Sequence, residues 1–392
     1  LWTRYVGAAA RTLLRGELAA DERFRRVVAR AQAVAHAGRD HTARVTVRGL
    51  APGRRWHYRF TAPDGTRSAT GRTATLPDGA TGVFRLAVFS CASLRHGWFH
   101  AYAHAAARDD LDLAVHTGDY LYEYAAGTYP AEVDAVAGRV LDPLHALLTL
   151  ADYRARYANY RTDPDLRALH ERLPMIAVWD DHEFANDAWT GGAENHDPAR
   201  DGAWAARRAA AERAWREWLP VSESWRPWAE HRVGDLATLL RLETRVTGRT
   251  PPLNPRFWAL RREADIDAAL AAFRDGAWSA DANRMLDAAQ ERWLLDSLAS
   301  GARRSRWQVL VQSVPMGRLQ LPRAATGWAE RWRGEARDEV AFLDAARRAG
   351  LPITLDNWNG FPAQRERVLA AARAARADLL VLSGDSHDAW AY

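Results

Sequence analysis

The amino-acid sequence predicts an all-β domain followed by a larger α/β domain. Its length of 392 residues is long for a single domain and favours at least two. Within residues 1–77, apolar and polar side chains alternate in short runs, as they do in half-buried strands. From Phe84 onward, short apolar runs alternate with longer stretches of helical period, which is typical of α/β domains.

The first domain is predicted to be a β-sandwich. The runs Arg44–Arg48 and Trp56–Phe60 both alternate, and the Pro-Gly turn between them predicts that they form a hairpin. Residues Leu76–Gly82 have the composition of a linker. We therefore expect two domains, one at residues 1–77 and the other at residues 83–392.

Four short apolar runs in the second domain are predicted to be buried strands. Near-continuous apolar strands belong to a sheet that is covered on both faces. Each run is followed by residues able to bind metal ions or transfer protons, and ligands of α/β sheets bind beyond the carboxyl ends of the strands. We therefore expect these polar side chains to share one crevice. The runs are Arg85–Phe89, Leu113–His116, Met175–Trp179 and Leu379–Leu382.

The side chains that follow these strands indicate two cation sites. A thiol, a phenol, an imidazole and a carboxylate together suit trivalent iron better than calcium, because calcium prefers all-oxygen ligands. The residues that offer these groups are Cys91, Asp119, Tyr122 and His387. Asp181 and Asp385 offer oxygens to a second, harder cation, and a carboxylate such as Asp119 can bridge two ions.

His182 is the predicted proton donor of this site. It lies between Asp181 and Glu183, in a position that suits protonation of a leaving group. His116, in contrast, lies within a predicted strand, and we expect it to be a packed structural histidine. Each of these residues alone has an ordinary structural explanation, so the functional interpretation depends on all the strand ends meeting at one edge.

The segments between the strands are predicted to be helices that pack on the sheet. One helix is expected to end before Pro220, because proline lacks the donor needed to continue it. Its apolar face carries Trp204, Ala211, Trp215 and Trp218. Gln290–Leu298 predicts another amphipathic helix, and Trp307–Val311 predicts a further buried strand.

Composition and charge exclude several classes of protein. No apolar run reaches the roughly 18 residues that a transmembrane helix needs, and a single cysteine, Cys91, excludes an internal disulfide framework. The net charge is +5 and all basic residues are arginine, which is typical of a high-GC genome. The alternative explanation of the positive charge is attraction to polyanions or phosphorylated substrates. The sequence contains no continuous arginine block, so it does not predict a dedicated nucleic-acid surface.

The strand-end motifs, taken in their order along the chain, resemble those of the alkaline phosphatase D (PhoD-like) family, within the calcineurin-like metallophosphoesterase superfamily. The segments that carry the resemblance are Phe89–Cys91, Gly118–Tyr124, Trp179–Glu183 and Gly384–His387. The resemblance implies a two-sheet α/β/β/α metallophosphatase sandwich behind an immunoglobulin- or fibronectin-like domain. It also implies that the second domain continues beyond Tyr392, so we expect this domain to be truncated at its carboxyl end.

The same resemblance assigns the ligands and the proton donor. It implies Fe(III) bound by Cys91, Asp119, Tyr122 and His387, and Ca(II) bound by Asp119, Asp181 and Asp385. It also implies that His182 is the active-site histidine. It further implies export to the periplasm or the cell exterior, although this chain carries no signal segment.

The implied activity is hydrolysis of phosphate mono- or diesters by a metal-activated hydroxide. Arg245 is a candidate for stabilising charge on the phosphoryl oxygens. The alternatives are a phosphodiesterase or phospholipase-like hydrolase on the same scaffold, and a non-catalytic polyanion-binding protein. A preference for monoesters or diesters is left open by the sequence, as are the natural substrate and the oligomeric state.

Overall fold

A computed structural model describes residues 1–7, 9–325 and 334–388. The strands are β1 (Trp2–Arg4), β2 (Arg11–Ala19), β3 (Val27–His36), β4 (Thr42–Arg44), β5 (Arg55–Thr61), β6 (Gly71–Ala74), β7 (Leu86–Phe89), β8 (Leu113–His116), β9 (Met175–Ala177), β10 (Ala229–Val233), β11 (Ala237–Arg241), β12 (Trp307–Val311) and β13 (Asp378–Leu382). The helices are α1 (His100–Ala107), α2 (Leu150–Tyr160), α3 (Pro164–Arg172), α4 (Pro198–Asp201), α5 (Trp204–Trp218), α6 (Asn254–Ala259), α7 (Ile266–Phe273), α8 (Ala288–Gly301), α9 (Glu335–Arg348) and α10 (Pro362–Ala374).

The amino-terminal region is all β, as the sequence predicts. Strands β3, β2, β5 and β6 form an antiparallel sheet in that order, and β1 pairs with β4 in a second, two-stranded sheet. A small core of its own includes Leu14, Val45 and Phe60. Where this region ends stays a prediction; β6 ends at Ala74 and β7 begins at Leu86.

The predicted hairpin between Arg44–Arg48 and Trp56–Phe60 is wrong. Strand β4 already ends at Arg44 and pairs with β1, whereas β5 pairs with β2 and β6. The alternation in the first run has another physical origin. The side chain of Val45 packs into the amino-terminal core, and its backbone exchanges two hydrogen bonds with Leu1, at 3.0 Å and 2.9 Å, so the alternation continues the pairing of β4 with β1.

The larger region has four layers. The parallel sheet β7-β8-β9 faces the sheet β10-β11-β12-β13, in which only the β10-β11 pair is antiparallel. A core of aliphatic side chains fills the space between the two sheets. Helices α1, α2, α3 and α5 cover the outer face of the first sheet, and α8 and α10 cover the outer face of the second. The α/β/β/α sandwich implied by the resemblance is therefore confirmed.

The period of two along each strand explains this layering. In β8, Val115 packs between the sheets and Ala114 packs against the outer helices. In β12, Val309 packs between the sheets and Leu310 faces α8 and α10. Because both faces of each sheet are covered, these strands need apolar residues at nearly every position. This explains why they appear in the sequence as continuous apolar runs.

Several predicted elements are confirmed. Helix α5 ends at Trp218, two residues before Pro220, and its buried face includes the predicted tryptophans. Helix α8 contains the predicted segment Gln290–Leu298, and β12 has the predicted bounds. His116 is fully buried and lies 3.0 Å from the hydroxyl of Tyr102, as expected for a packed histidine. None of the helices in the described residues has the length and apolarity that a membrane span requires.

Candidate metal centre

The four strands predicted to carry the site end at the same edge of the sandwich. Three of them, β7, β8 and β9, belong to the first sheet, and β13 belongs to the second. The strand ends converge across two facing sheets, because all four strands present their carboxyl ends to one crevice.

The residues predicted to bind iron are brought together. One ligand atom from each of Cys91, Asp119 and His387 lies within 4.8 Å of the other two. The hydroxyl of Tyr122 lies 3.0 Å from Nε2 of His387 and 3.3 Å from Oδ2 of Asp119. A thiol, a phenol, an imidazole and a carboxylate therefore surround one small volume.

The residues predicted to bind the second ion form an adjoining group. Asp181 and Asp385 lie with Asp180 in a cluster whose ligand atoms are all within 4.8 Å of one another. A further cluster of the same dimension joins Asp119, Asp181 and His182. Since Asp119 and Asp181 each belong to two clusters, the groups are continuous and could hold two neighbouring ions. The role of each residue as a ligand stays a prediction.

The backbone is strained at the ends of these strands. The left-handed conformation is uncommon for residues other than glycine and is concentrated at functional sites. Four of the predicted ligands adopt it: Cys91 with a φ of 54°, Asp119 with 54°, Asp385 with 68° and His387 with 53°. The strand ends turn sharply at these residues, and each turn directs a polar side chain into the crevice.

Two glycines allow the strand ends to approach one another. A Cβ atom at Gly118, whose φ is +108°, would lie 2.5 Å from the Cβ of Asp180. A Cβ at Gly384 would lie 2.4 Å from the Cβ of Ser90. Either substitution would force the backbones of neighbouring strands apart. The glycines that precede Asp119 and Asp385 therefore set the spacing of the carboxylates.

Three carboxylate oxygens in the site are buried and lack a hydrogen bond among the described residues. They are Oδ1 of Asp119, Oδ2 of Asp180 and Oδ1 of Asp181. A buried carboxylate oxygen without a partner is costly, and buried charges are normally paired or bound to metal. The guanidinium of Arg245 lies 3.4 Å from Oδ1 of Asp181. These oxygens, together with the thiol and the phenol, fit the ligand set of a metal centre.

Burial shifts the ionisation of the proposed metal ligands. Burial raises the pKa of Asp119 well above its ordinary value, even though the nearby His182 lowers it. Burial, followed by the charge of Asp119, raises the pKa of the Cys91 thiol and of the Tyr122 phenol. Burial therefore disfavours the deprotonated forms of these groups. A bound metal ion stabilises the deprotonated forms, so metal binding is coupled to proton release.

Arg245 lies within the acidic cluster and does not face a substrate. Its guanidinium is fully buried, 2.6 Å from Asp356 and 2.8 Å from Asp385, and it also binds Asp180. Because its donors are occupied by these carboxylates, the expected contact with a phosphoryl group is not made. Arg245 instead neutralises part of the charge of the cluster and holds its members in place.

His182 is held by an acid that the sequence analysis did not identify. Its Nδ1 lies 2.8 Å from Oε2 of Glu123, and both side chains are buried. Oε1 of Glu123 accepts hydrogen bonds from the backbone of Asn186 and the side chain of Asn195, each at 2.7 Å. Although burial disfavours the imidazolium, the charges of Asp181 and then Glu123 raise the pKa of His182 well above its ordinary value.

Other functional side chains were also missed. Glu183 accepts hydrogen bonds from the backbone amides of Asp119, Tyr120 and Asp180, so it joins the turns after β8 and β9. Asp356 binds Arg245 from a segment between α9 and α10. The consecutive acids Asp180 and Asp181 could have indicated the turn after β9, because two such acids after a strand both point inward only if the backbone turns there. No comparable local pattern marked Asp356.

Comparison with known proteins agrees with this geometry. Residues 86–392 match the PhoD-like phosphatase family, and residues 1–77 match the N-terminal domain of PhoD-like phosphatases. Alkaline phosphatase D of Bacillus subtilis (strain 168) is 31% identical over 396 residues, an alignment that covers 96% of this chain. The chain spans 58% of the length of that relative.

A solved structure of PhoD has the same fold. It superposes with a TM-score of 0.78 at 28% sequence identity, covering 98% of this chain and 68% of the other. The match includes the two-sheet sandwich and the amino-terminal β region. The resemblance first seen in the strand-end motifs is therefore confirmed across the whole chain, and the protein belongs to the PhoD-like phosphatase family.

Proposed function

We propose that this protein is a metal-dependent phosphoric ester hydrolase with alkaline phosphatase activity. The observation that supports the proposal most directly is the continuous set of ligand groups centred on Asp119 and Asp181, with buried carboxylate oxygens that lack hydrogen-bond partners. Membership of the PhoD-like phosphatase family supports the same reaction.

We further propose Fe(III) and Ca(II) as the ions. The cysteine, tyrosine and histidine side chains on one side of Asp119 favour a trivalent iron, and the all-carboxylate group on the other side favours calcium. The proposed iron ligands are Cys91, Asp119, Tyr122 and His387, and the proposed calcium ligands are Asp119, Asp181 and Asp385. When bound, such ions polarise the phosphoryl group and lower the pKa of an attacking water.

The chain itself supplies a proton donor. His182 uses Nδ1 to bind Glu123, and Nε2 makes no hydrogen bond within the described residues. The hydrogen bond to Glu123 stabilises the protonated ring, so His182 can donate a proton to the alkoxide that leaves phosphorus. The ring of Tyr122 lies against His182, with 4.3 Å between the ring centroids, and limits its rotation.

Activity on two model substrates with and without a chelator tests the proposal. Hydrolysis of para-nitrophenyl phosphate should exceed the background rate, and removing the metals should abolish it. Hydrolysis of bis(para-nitrophenyl) phosphate measures the competing phosphodiesterase or phospholipase-like preference. Chelator-insensitive hydrolysis would refute a metal mechanism. Binding of heparin or DNA without turnover would support a polyanion-binding protein instead.

Export to the periplasm or the cell exterior is also proposed, on the basis of the family resemblance. Fractionation of cells that express the complete gene tests it. Activity that stays with the cytoplasmic fraction would contradict it.

A further inference from the structure

A groove opens directly beside the proposed iron ligands. It has a volume of about 610 Å³. Its lining includes the proposed ligands Cys91, Tyr122 and His387, together with Val88, Trp98 and Tyr129. A phosphoryl group held at the metal centre would therefore have this groove next to it, within reach of the group esterified to phosphorus.

Trp98 is exposed in this groove yet held in place. Its side chain is 54% exposed, which is unusual for so large an apolar residue. The guanidinium carbon of Arg139 lies 4.7 Å from the ring centroid of Trp98. Arg139 is itself fixed by a buried ion pair with Asp163 and a hydrogen bond of 2.9 Å to the carbonyl of Leu94. The indole is therefore a supported aromatic surface.

Further aromatic rings continue this surface to the metal centre. The ring of Tyr129 stacks on that of Tyr122, with 5.6 Å between centroids and 27° between planes. The ring of Tyr129 also lies 4.7 Å from the ring of His96. Aromatic rings therefore line the groove from the proposed ligand Tyr122 through Tyr129 to His96.

The groove side of the metal centre differs in charge from its acidic side. None of the described residues that line the groove is Asp, Glu or Arg. On the far side of the centre, in contrast, Asp181, Asp187, Asp356 and Asp385 lie close together around Arg245. An uncharged organic group attached to phosphorus would lose little by entering the groove, whereas the acidic side is occupied by ion pairs.

We propose that this groove binds the alcohol portion of the substrate, and that Trp98 makes the enzyme prefer esters of aromatic alcohols. This inference rests on the proposed function, because it assigns the substrate class of the same site. Stacking on a fixed indole favours flat, uncharged rings over small alkyl groups. Aromatic stacking of this kind contributes about 1–3 kcal/mol, or about fivefold to 150-fold in affinity.

Kinetics of Trp98→Ala with two monoesters test the proposal. For phenyl phosphate, KM should rise about tenfold while kcat stays within about twofold, because stacking contributes equally to the bound substrate and the transition state. For methyl phosphate, both constants should stay within about twofold of wild type. Trp98→Phe should retain most of the preference, because it keeps an aromatic face.

A matched control is Trp307→Ala, since Trp307 is 39% exposed and lies at the opposite end of a strand from the site. It should leave both esters unaffected. If Trp98→Ala lowers the melting temperature, Trp98→Leu replaces it, because leucine keeps apolar bulk without a flat ring.

The outcomes separate this inference from the function on which it rests. Equal changes for both esters, or no change for either, would overturn the proposed preference while leaving the hydrolase activity intact. Absence of hydrolysis of either ester by the metal-loaded wild-type protein would overturn the proposed function, and this inference with it.

Discussion

Nδ1 of His182 lies 2.8 Å from a carboxylate oxygen of Glu123, and the two side chains form a buried pair beside the metal centre. The pair connects the segment that follows β8 to the segment that follows β9. It fixes which nitrogen of His182 bears a proton towards the protein and which one faces the substrate. The histidine alone was predictable from the sequence, but the acid that orients it was not.

Replacing His182 by Ala should lower kcat by about 10²-fold to 10⁴-fold, the usual contribution of a positioned acid–base group. Metal content should be nearly unchanged, because Asp119 keeps its cluster with Cys91 and His387, and Asp181 keeps its cluster with Asp180 and Asp385. Steady-state kinetics and elemental analysis of the same preparation check both results. Equal loss of metal and of activity would instead make His182 a ligand.

Glu123→Gln should reduce kcat and leave KM nearly unchanged. An amide cannot stabilise the imidazolium as a carboxylate does, so the pKa of His182 should fall. The alkaline limb of the pH profile of kcat should therefore move to lower pH. Glu194→Gln is a suitable control, because Glu194 binds the neighbouring Asn186 but does not contact His182. An unshifted profile would show that Glu123 does not act through the histidine.

Tyr122→Phe should remove a visible charge-transfer band from the iron-loaded protein, because a phenolate bound to Fe(III) absorbs in the visible range. The fold should persist, since the ring stays the same size. Tyr124→Phe is the matched control, because Tyr124 lies beside His182 with its ring 5.3 Å away but belongs to none of the proposed ligands. Colour that survives in Tyr122→Phe and is lost in Tyr124→Phe would reverse the assignment.

Asp119→Asn should weaken binding of both ions, whereas Asp385→Asn should weaken binding of one. Asp119 lies in the cluster with Cys91 and His387 and in the cluster with Asp181. Asp385 lies only in the acidic cluster. Iron and calcium per chain, measured after identical dialysis, distinguish the two variants. Equal loss of both ions from the two variants would contradict a bridging position for Asp119.

His231→Gln should make the fold less sensitive to acid. Burial lowers the pKa of His231 to about 4, against about 6.5 in an unfolded chain. Above pH 6.5 the neutral ring costs nothing, but below it the unfolded chain gains a proton first. The free energy of unfolding should therefore fall by about 2–3 kcal/mol between pH 6.5 and pH 4.5 on account of this residue.

Urea unfolding of wild type and His231→Gln at these two pH values measures that difference. Acid also weakens metal binding, but it does so in both proteins, so the contribution of His231 is the difference between their losses. Identical losses in the two proteins would show that His231 is protonated equally in the folded and unfolded chains.

Much of the site was predictable because it depends on local features. Cys91, Asp119, Asp181 and His387 each follow a recognisable apolar strand, and parallel strands present their carboxyl ends together. The alternation at Arg44–Arg48 was misleading about the pairing partner, because the backbone of Val45 pairs with Leu1 and not with β5. Periodicity reports which side chains are buried, and a pairing partner has to be found by other means.

The unpredicted parts depend on contacts between distant segments. The guanidinium of Arg245 joins carboxylates that are 65 and 140 residues away in the sequence, and no local pattern shows that its donors are already occupied. Glu123 likewise meets His182 across 59 residues. Both roles follow from how the strand ends pack, which the residue types alone do not encode.

Diffraction from crystals of the complete, metal-loaded protein, recorded on both sides of the iron absorption edge, tests the central claim most directly. We expect one strong anomalous peak bounded by Sγ of Cys91, the phenol of Tyr122, the carboxylate of Asp119 and the imidazole of His387. A second, iron-independent density should lie between Asp119, Asp181 and Asp385. An iron peak elsewhere, or no metal density between these side chains, would contradict it.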